Sequence, residues 1–339
     1  MPPVIKVDGL VKEFRRTKKK DGRFGAVRTL FTREFDAVRA VDDISFAIEP
    51  GELVGYIGPN GAGKSTTIKM MTGILVPTSG TVEVGGIVPW REREHNAMQI
   101  GVVFGQRSQL WWDLPLIESF KLIGKLYRVP DAKYQRNVDR FTELLDMQEF
   151  LDQPVRQLSL GQRMRGDLAA SMLYEPKILY LDEPTIGLDV VAKESMRTFI
   201  EEMNRDSGTT IVLTTHDLAD VERLCRRLIL IDHGHVLYDG GVEQLKAKYA
   251  PHRILVVKLA AEAVTEGRSV LIDASVVPGA EIIDQADGVA RIQFETARTP
   301  VQDLIAAVNA RYPVADLSIV EPDLEGVVRQ IYNERVPVA

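Results

Sequence analysis

The chain is short of cysteine, of long apolar stretches and of net positive charge, and each shortage argues against a class of function. One cysteine, Cys225, among 339 residues cannot close an internal disulfide, which suits a reducing compartment better than a disulfide-stapled scaffold. No apolar run approaches the roughly 18 residues that a membrane-crossing helix needs. The opening MPPVIKVDGL has no basic stretch leading into an apolar one, so a secretion signal is not expected there. A net charge of −6 argues against a dedicated nucleic-acid binder. No internal repeat, low-complexity tract, heptad array or cysteine cluster is visible. What is present is ordinary: 45% hydrophobic and 27% charged residues, enough for a full core in two or three domains.

The charge is unevenly placed. Residues 11–40 hold ten Lys or Arg against four acids, a local +6 inside an acidic protein. Such a segment is either a solvated loop or a surface for anionic lipid headgroups or an acidic partner, where each basic residue contributes roughly 1 kcal/mol. Around it, residues 5–7, 44–48 and 53–57 read as strands, and a Gly-rich turn leads into a helix over about 64–72. Further strands are expected at 81–84 and 102–104. From about 111 to 157 the pattern is helical, with Phe141, Leu144, Leu145 and Phe150 forming a core stripe. Apolar runs at 178–181 and 211–214, separated by a helical stretch, match a parallel sheet with crossover helices. Past residue 252 the character changes. Strands near 254–259, 290–294 and 317–320, with helices near 299–310 and 324–332, predict a small α/β domain.

Gly58-Pro59-Asn60-Gly61-Ala62-Gly63-Lys64-Ser65 fits G-x-x-x-x-G-K-[ST] and lies between a predicted strand and a predicted helix, the context that a phosphate-binding loop requires. Glycines let backbone approach phosphate oxygens, and exposed N–H groups at a helix start favour anions. Lys64 offers a charge to the β- and γ-phosphates. The Ser65 hydroxyl can ligate Mg²⁺, and Thr66 follows it into the helix. Nucleotide binding is expected, but GTPases, kinases and motor ATPases share this loop.

The strand at 178–181 ends in Asp182 and Glu183. In a parallel sheet, strand C-termini line the ligand crevice, so Asp182 is a candidate Mg²⁺ contact and Glu183 a candidate general base. His216, just past the strand at 211–214, is a candidate γ-phosphate contact.

Leu158-Ser159-Leu160-Gly161-Gln162 begins its Ser159 23 residues before Asp182, Gln106 lies 42 residues after Lys64, and Gly187-Leu188-Asp189 follows the two acids. In this order the motifs resemble the signature, Q-loop and D-loop of the ATP-binding cassette (ABC) family over about residues 4–245. The resemblance implies a P-loop NTPase cassette with a RecA-like parallel sheet core, an antiparallel β subdomain and an α-helical subdomain at about 106–160. The cassette would occupy residues 1–245, followed by a small C-terminal α/β domain at 252–339. It further implies that Ser159, Gly161 and Gln162 contact ATP held by a second copy, that Gln106 senses Mg²⁺ or the attacking water, that Asp189 couples the two sites, and that Phe14 stacks on adenine. A core role for Phe14 is the other reading. The implied protein is the ATP-hydrolysing subunit of a transporter at the cytoplasmic face of the membrane, driving separate permease subunits.

Two departures stand out. Leu160 replaces the usual first glycine of the signature. The basic insertion, about 15–40, is longer than usual and resembles the viologen-exporter-like branch, so export is expected over import. Trp111 and Trp112, shortly after Gln106, would either meet a permease helix or fill the helical subdomain core. A soluble ABC ATPase acting on ribosomes or DNA is the main alternative, disfavoured by a single cassette without coiled coil or zinc cluster. A non-hydrolysing regulator is disfavoured by Glu183 and His216.

Overall fold

In the computed structural model, residues 2–17, 35–105, 107–250, 252–260, 264–265, 268–269, 271–273, 275, 279–295, 298–321 and 323–334 are described. Gln106 and most of the basic insertion, with Lys18, Lys19 and Lys20, lie outside them. The chain divides into two units between Gly240 and Gly241.

The first unit opens with β1 (Ile5–Thr17) and β2 (Phe35–Ile48), an antiparallel pair joined on the far side of β1 by β4 (Ser79–Val84). β1 runs ten residues beyond the short strand expected at 5–7. Register irregularities between Val7 and Glu13 break the two-residue alternation by which a strand is recognised.

The second sheet runs β5-β6-β7-β3-β8-β9, from β3 (Leu53–Ile57), β5 (Ile100–Phe104), β6 (Ile178–Asp182), β7 (Thr210–Thr214), β8 (Arg227–Asp232) and β9 (His235–Gly241). Its inner strands pair in parallel, and β6 and β7 are buried almost throughout, as helices on both faces require. α1 (Lys64–Met71) follows β3 and buries Thr67, Ile68, Met70 and Met71. One apolar core joins the two sheets through residues such as Ile5, Ile48, Val84, Tyr56 and Tyr180. Each aliphatic side chain among them, taken fully from water, contributes about 1.5–3 kcal/mol.

Between β5 and β6 lies the helical region. α2 (Arg93–Gln99) precedes β5, and α3 (Leu116–Leu126), α4 (Asp131–Leu144) and α5 (Leu160–Met172) follow it. Phe141, Leu145 and Phe150 are buried as the stripe predicts, and Phe141 meets Phe199 edge-on at 5.2 Å. Trp111 and Trp112 are 42% and 53% exposed, so they do not fill this core. α6 (Val190–Ser207) crosses from β6 to β7, and α7 (Leu218–Leu224) precedes β8.

The second unit starts with α8 (Val242–Tyr249) and carries the antiparallel sheet β13-β14-β10-β15, built from β10 (His252–Leu259), β13 (Ala280–Ala286), β14 (Val289–Glu295) and β15 (Val314–Val320). A two-stranded ribbon, β11 (Val264–Thr265) and β12 (Arg268–Ser269), lies between β10 and β13. α9 (Val301–Asn309) packs Leu304 and Val308 onto Leu255, Val257 and Ile292. α8 packs on α10 (Leu324–Glu334), which is why the dividing line falls at Gly240 rather than at the expected 245.

Candidate functional site

The phosphate loop makes the step from β3 to α1, and two of its positions need glycine. Gly63, which caps α1, sits at φ +107°, and a Cβ there would approach the Ala40 carbonyl oxygen to 2.4 Å. A Cβ on Gly58 would come equally close, 2.4 Å, to the Ile231 carbonyl oxygen. Only bare backbone fits this closely. The loop, the first turn of α1 and the ends of β5 and β6 enclose a cleft of about 630 Å³, lined among others by Asn60, Lys64, Ser65, Thr66, Arg107 and Glu183.

Lys64 is buried, and its Nζ donates to the carbonyl oxygens of Gly58 at 2.5 Å and Pro59 at 3.2 Å. Burial holds its pKa below the usual lysine value, with Glu183 and Asp182 pulling the other way. An ammonium that meets two neutral carbonyls among the described residues gains from an anionic acceptor.

Register brings Phe104, Asp182 and Thr214 into one rank at the C-terminal edge of the sheet. Thr214 Oγ1 donates to Asp182 Oδ1 at 2.5 Å, which leaves Oδ2 3.4 Å from the Ser65 hydroxyl. A carboxylate oxygen and a hydroxyl converging on an anion-binding cleft fit Mg²⁺, which takes one or two protein ligands together with phosphate oxygens and water.

Glu183 adopts φ +57°, a left-handed conformation that costs a non-glycine residue about 1–2 kcal/mol. It is held there by its own N–H, which donates to the Thr214 carbonyl at 2.9 Å. The turn aims the carboxylate at His216, whose Nδ1–H donates to Glu183 Oε2 at 2.7 Å. The backbone N–H of His216 reaches the same oxygen at 3.3 Å. The imidazole side chain is 65% exposed, so Nε2 faces solvent.

Ser159 caps α5: its Oγ accepts from Gln162 N at 3.2 Å, while Gln162 Oε1 accepts from Ser159 N at 2.9 Å. The Gln162 amide oxygen is thus engaged in holding the turn. Leu160, 38% exposed, lies against Gly187. Asp189 caps α6 by accepting from Ala192 N at 2.9 Å. None of Ser159, Gly161, Gln162, Asp189 or Phe14 lines the cleft. Phe14 is 40% exposed with Lys12 Nζ 5.4 Å from its ring centroid, so the core reading of Phe14 fails. Gln106 lies outside the described residues, although Gly105 and Arg107 on either side line the cleft.

Sequence reasoning missed Arg107, Thr214 and Asp167. Only Thr214 carried a signal, a hydroxyl ending a buried strand beside the acids. Asp167, on α5, is 3% exposed; its Oδ1 accepts from Ser108 Oγ and Gln109 N, both at 3.0 Å. It fastens the segment after Gln106 to the signature helix. Burial pushes its pKa from 3.8 up to about 6, against the pull of those hydrogen bonds and of Arg163. Between these two values the native state holds a proton that the unfolded chain has lost, so stability falls as pH rises, by roughly 3 kcal/mol in all. Asp167→Asn keeps an acceptor but does not titrate. Urea unfolding at pH 4 and pH 8 is expected to show this loss in the unmodified protein and most of it gone in the variant.

A family profile described as "ABC transporter" matches residues 41–186. The chain is 32% identical over 208 residues to the ABC transporter ATP-binding protein NatA of Bacillus subtilis, covering 61% of this chain and 84% of NatA. It is 35% identical over 209 residues to the Nod factor export ATP-binding protein I of Ralstonia nicotianae, covering 60% of this chain and 63% of that protein. Among solved structures, the dimeric bacterial ABC transporter cassette MJ0796 superposes with a TM-score of 0.58 at 25% identity, over 70% of this chain and 98% of the cassette. A P-loop cleft, an acid-ended strand and a helix capped by the signature, set in the fold of such cassettes, lead to one conclusion: the chain belongs to the ABC transporter family, as an ATP-binding subunit that hydrolyses ATP.

Proposed function

We propose that two copies of this chain close around two Mg-ATP and drive separate permease subunits from the cytoplasmic face of a membrane. The observation that carries the hydrolytic part is the 2.7 Å contact of His216 with Glu183, whose carboxylate also lines the Lys64 cleft. Glu183 is the base that takes the proton from the attacking water, and the exposed Nε2 of His216 faces the γ-phosphate. The backbone N–H groups of residues 61–66 and the Lys64 ammonium hold the phosphates. Ser65 and Asp182, joined by Gln106, would hold Mg²⁺, which would offset the negative charge of the phosphates.

The requirement for a second copy is supported by what the cleft lacks. Ser159, Gly161 and Asp189 lie at exposed or half-exposed helix starts away from it, free for ATP held by another chain. Exposed apolar side chains, Val190 at 83% and Val191 at 76%, follow Asp189 and suit burial in such an interface. ATP then favours the closed pair because phosphate charge meets donors from both chains, and hydrolysis removes that preference.

Phe14, exposed on the surface, stacks on adenine. Trp111 and Trp112, both exposed, the latter with Arg163 over its ring, face the permease. The likeness to a protein named for Nod factor export supports export. The basic segment is suited to anionic headgroups, and residues 241–336 serve as an accessory domain. Light scattering tests the pairing directly: Glu183→Gln with Mg-ATP is expected to run at twice the mass of the nucleotide-free protein. A monomer under saturating ATP would refute the shared site.

A further inference from the structure

Charged contacts tie both Glu183 and His216 to one helix. Asp217, the residue after His216, caps α7 by accepting from Ala219 N at 3.2 Å through Oδ1, and its Oδ2 accepts from Lys193 Nζ of α6 at 2.7 Å. One turn further along α6, Arg197 Nε donates to Asp220 Oδ1 at 2.7 Å. Asp220 is wholly buried, and its Oδ2 accepts from Thr185 Oγ1 at 2.5 Å. Thr185 stands two residues after Glu183. The loop behind the base therefore reaches α6 through Thr185–Asp220–Arg197, and the loop behind the histidine reaches it through Asp217–Lys193. Both anchors lie within two turns of the α6 N-terminus, where Val190 and Val191 are exposed.

We propose that Lys193 and Arg197 are positioning residues for ATP hydrolysis, through which the placement of α6 sets where Glu183 and His216 stand relative to each other. The geometry favours a lever over a mere brace. A rigid 18-residue helix has its exposed end at the D-loop and its two charged side chains on the machinery. Displacing that end by a fraction of a turn moves both anchors together, because Asp220 is buried with ionic partners and cannot release Arg197 without leaving an uncompensated charge. Glu194, 3.9 Å from Arg197, Arg223, paired with Glu194, and Glu201, 3.4 Å from Arg223, are further charged groups on this face. The inference rests on the roles given above to Glu183 and His216.

Arg197→Met strands the buried Asp220 carboxylate and is expected to impair folding, so the half-exposed Lys193–Asp217 pair carries the test. In the full chain, Lys193→Met and Asp217→Asn are each expected to lower kcat about tenfold, with KM for ATP and the unfolding midpoint nearly unchanged. The double variant is expected to be no slower than the slower single, as for residues acting as one unit. Lys193→Arg is expected to recover most of the rate. Unchanged kcat in both single variants, losses that multiply in the double, or losses that follow the unfolding midpoint would overturn the proposal. Glu183→Gln, run alongside, separates the two readings. If it hydrolyses at the unmodified rate, the base assignment fails and the link to Glu183 loses its role, while a slow Lys193→Met still upholds the tether to His216. If it is inactive and the Lys193 and Asp217 variants are not slowed, the tether alone falls.

Discussion

Glu183→Gln slows ATP turnover by about 10²–10⁴-fold, the usual effect of losing a general base, and leaves nucleotide binding intact. The separation of effects follows from the geometry. An amide oxygen still accepts from His216 Nδ1–H, so the 2.7 Å contact and the left-handed turn behind it, pinned by the Thr214 carbonyl, both survive. The groups proposed to hold phosphate, Lys64 and the loop backbone, are untouched. What disappears is the capacity to accept a proton. Phosphate release measures the turnover, and calorimetry with Mg-ATP measures the binding. Turnover near the unmodified rate would remove Glu183 from the role of base. Loss of binding would mean that its carboxylate organises the cleft rather than the water.

Lys64→Met weakens ATP binding by about 10²-fold. Charge-assisted hydrogen bonds are worth about 1.5–3 kcal/mol each, and every 1.4 kcal/mol is tenfold in affinity; the ammonium would make contacts to both the β- and γ-phosphates. Without nucleotide the same substitution is expected to cost little stability. The ammonium is buried against two carbonyls, and burial disfavours its charge, so a thioether of similar length relieves a desolvation cost. Calorimetry and unfolding of the nucleotide-free variant test the two halves. Unchanged affinity would refute the phosphate cradle. A large loss of stability without ATP would make Lys64 a structural residue first.

The motifs were legible because the chemistry demands particular atoms at particular spacings. Glycine where a Cβ would strike the Ala40 or Ile231 carbonyl, lysine and a hydroxyl at the start of α1, and two acids at the end of a wholly apolar strand can be read one after another along the chain. The strands β6 and β7 were equally plain, because burial on both faces leaves nearly unbroken apolar runs. β1 was not, since its irregular register hides the alternation. Nor was β13, whose residues are mostly exposed or half-exposed and show no apolar face to read.

Some functional distinctions depended on three dimensions. Trp111 and Trp112 read in the sequence as either a permease contact or core, and only the structure shows them exposed while Leu110, Leu116 and Phe120 are buried. Asp167 looks like a polar residue on a helix surface, yet it is buried and grips the segment after Gln106. Lys193 with Asp217, and Arg197 with Asp220, form no motif at all. They meet because α6 and α7 pack side by side, at separations of about 23 residues or more in the chain.

By itself, then, the amino-acid sequence determined the chemistry of this protein: which groups can hold phosphate, which can ligate Mg²⁺ and which can take a proton. Those depend on residue type and on local backbone, and both are written in order along the chain. The tertiary structure alone decided which side chains act together. Burial, charge pairing across helices and the aim of Glu183 toward His216 come from contacts between distant segments, and no local pattern encodes a contact whose partner lies in another element.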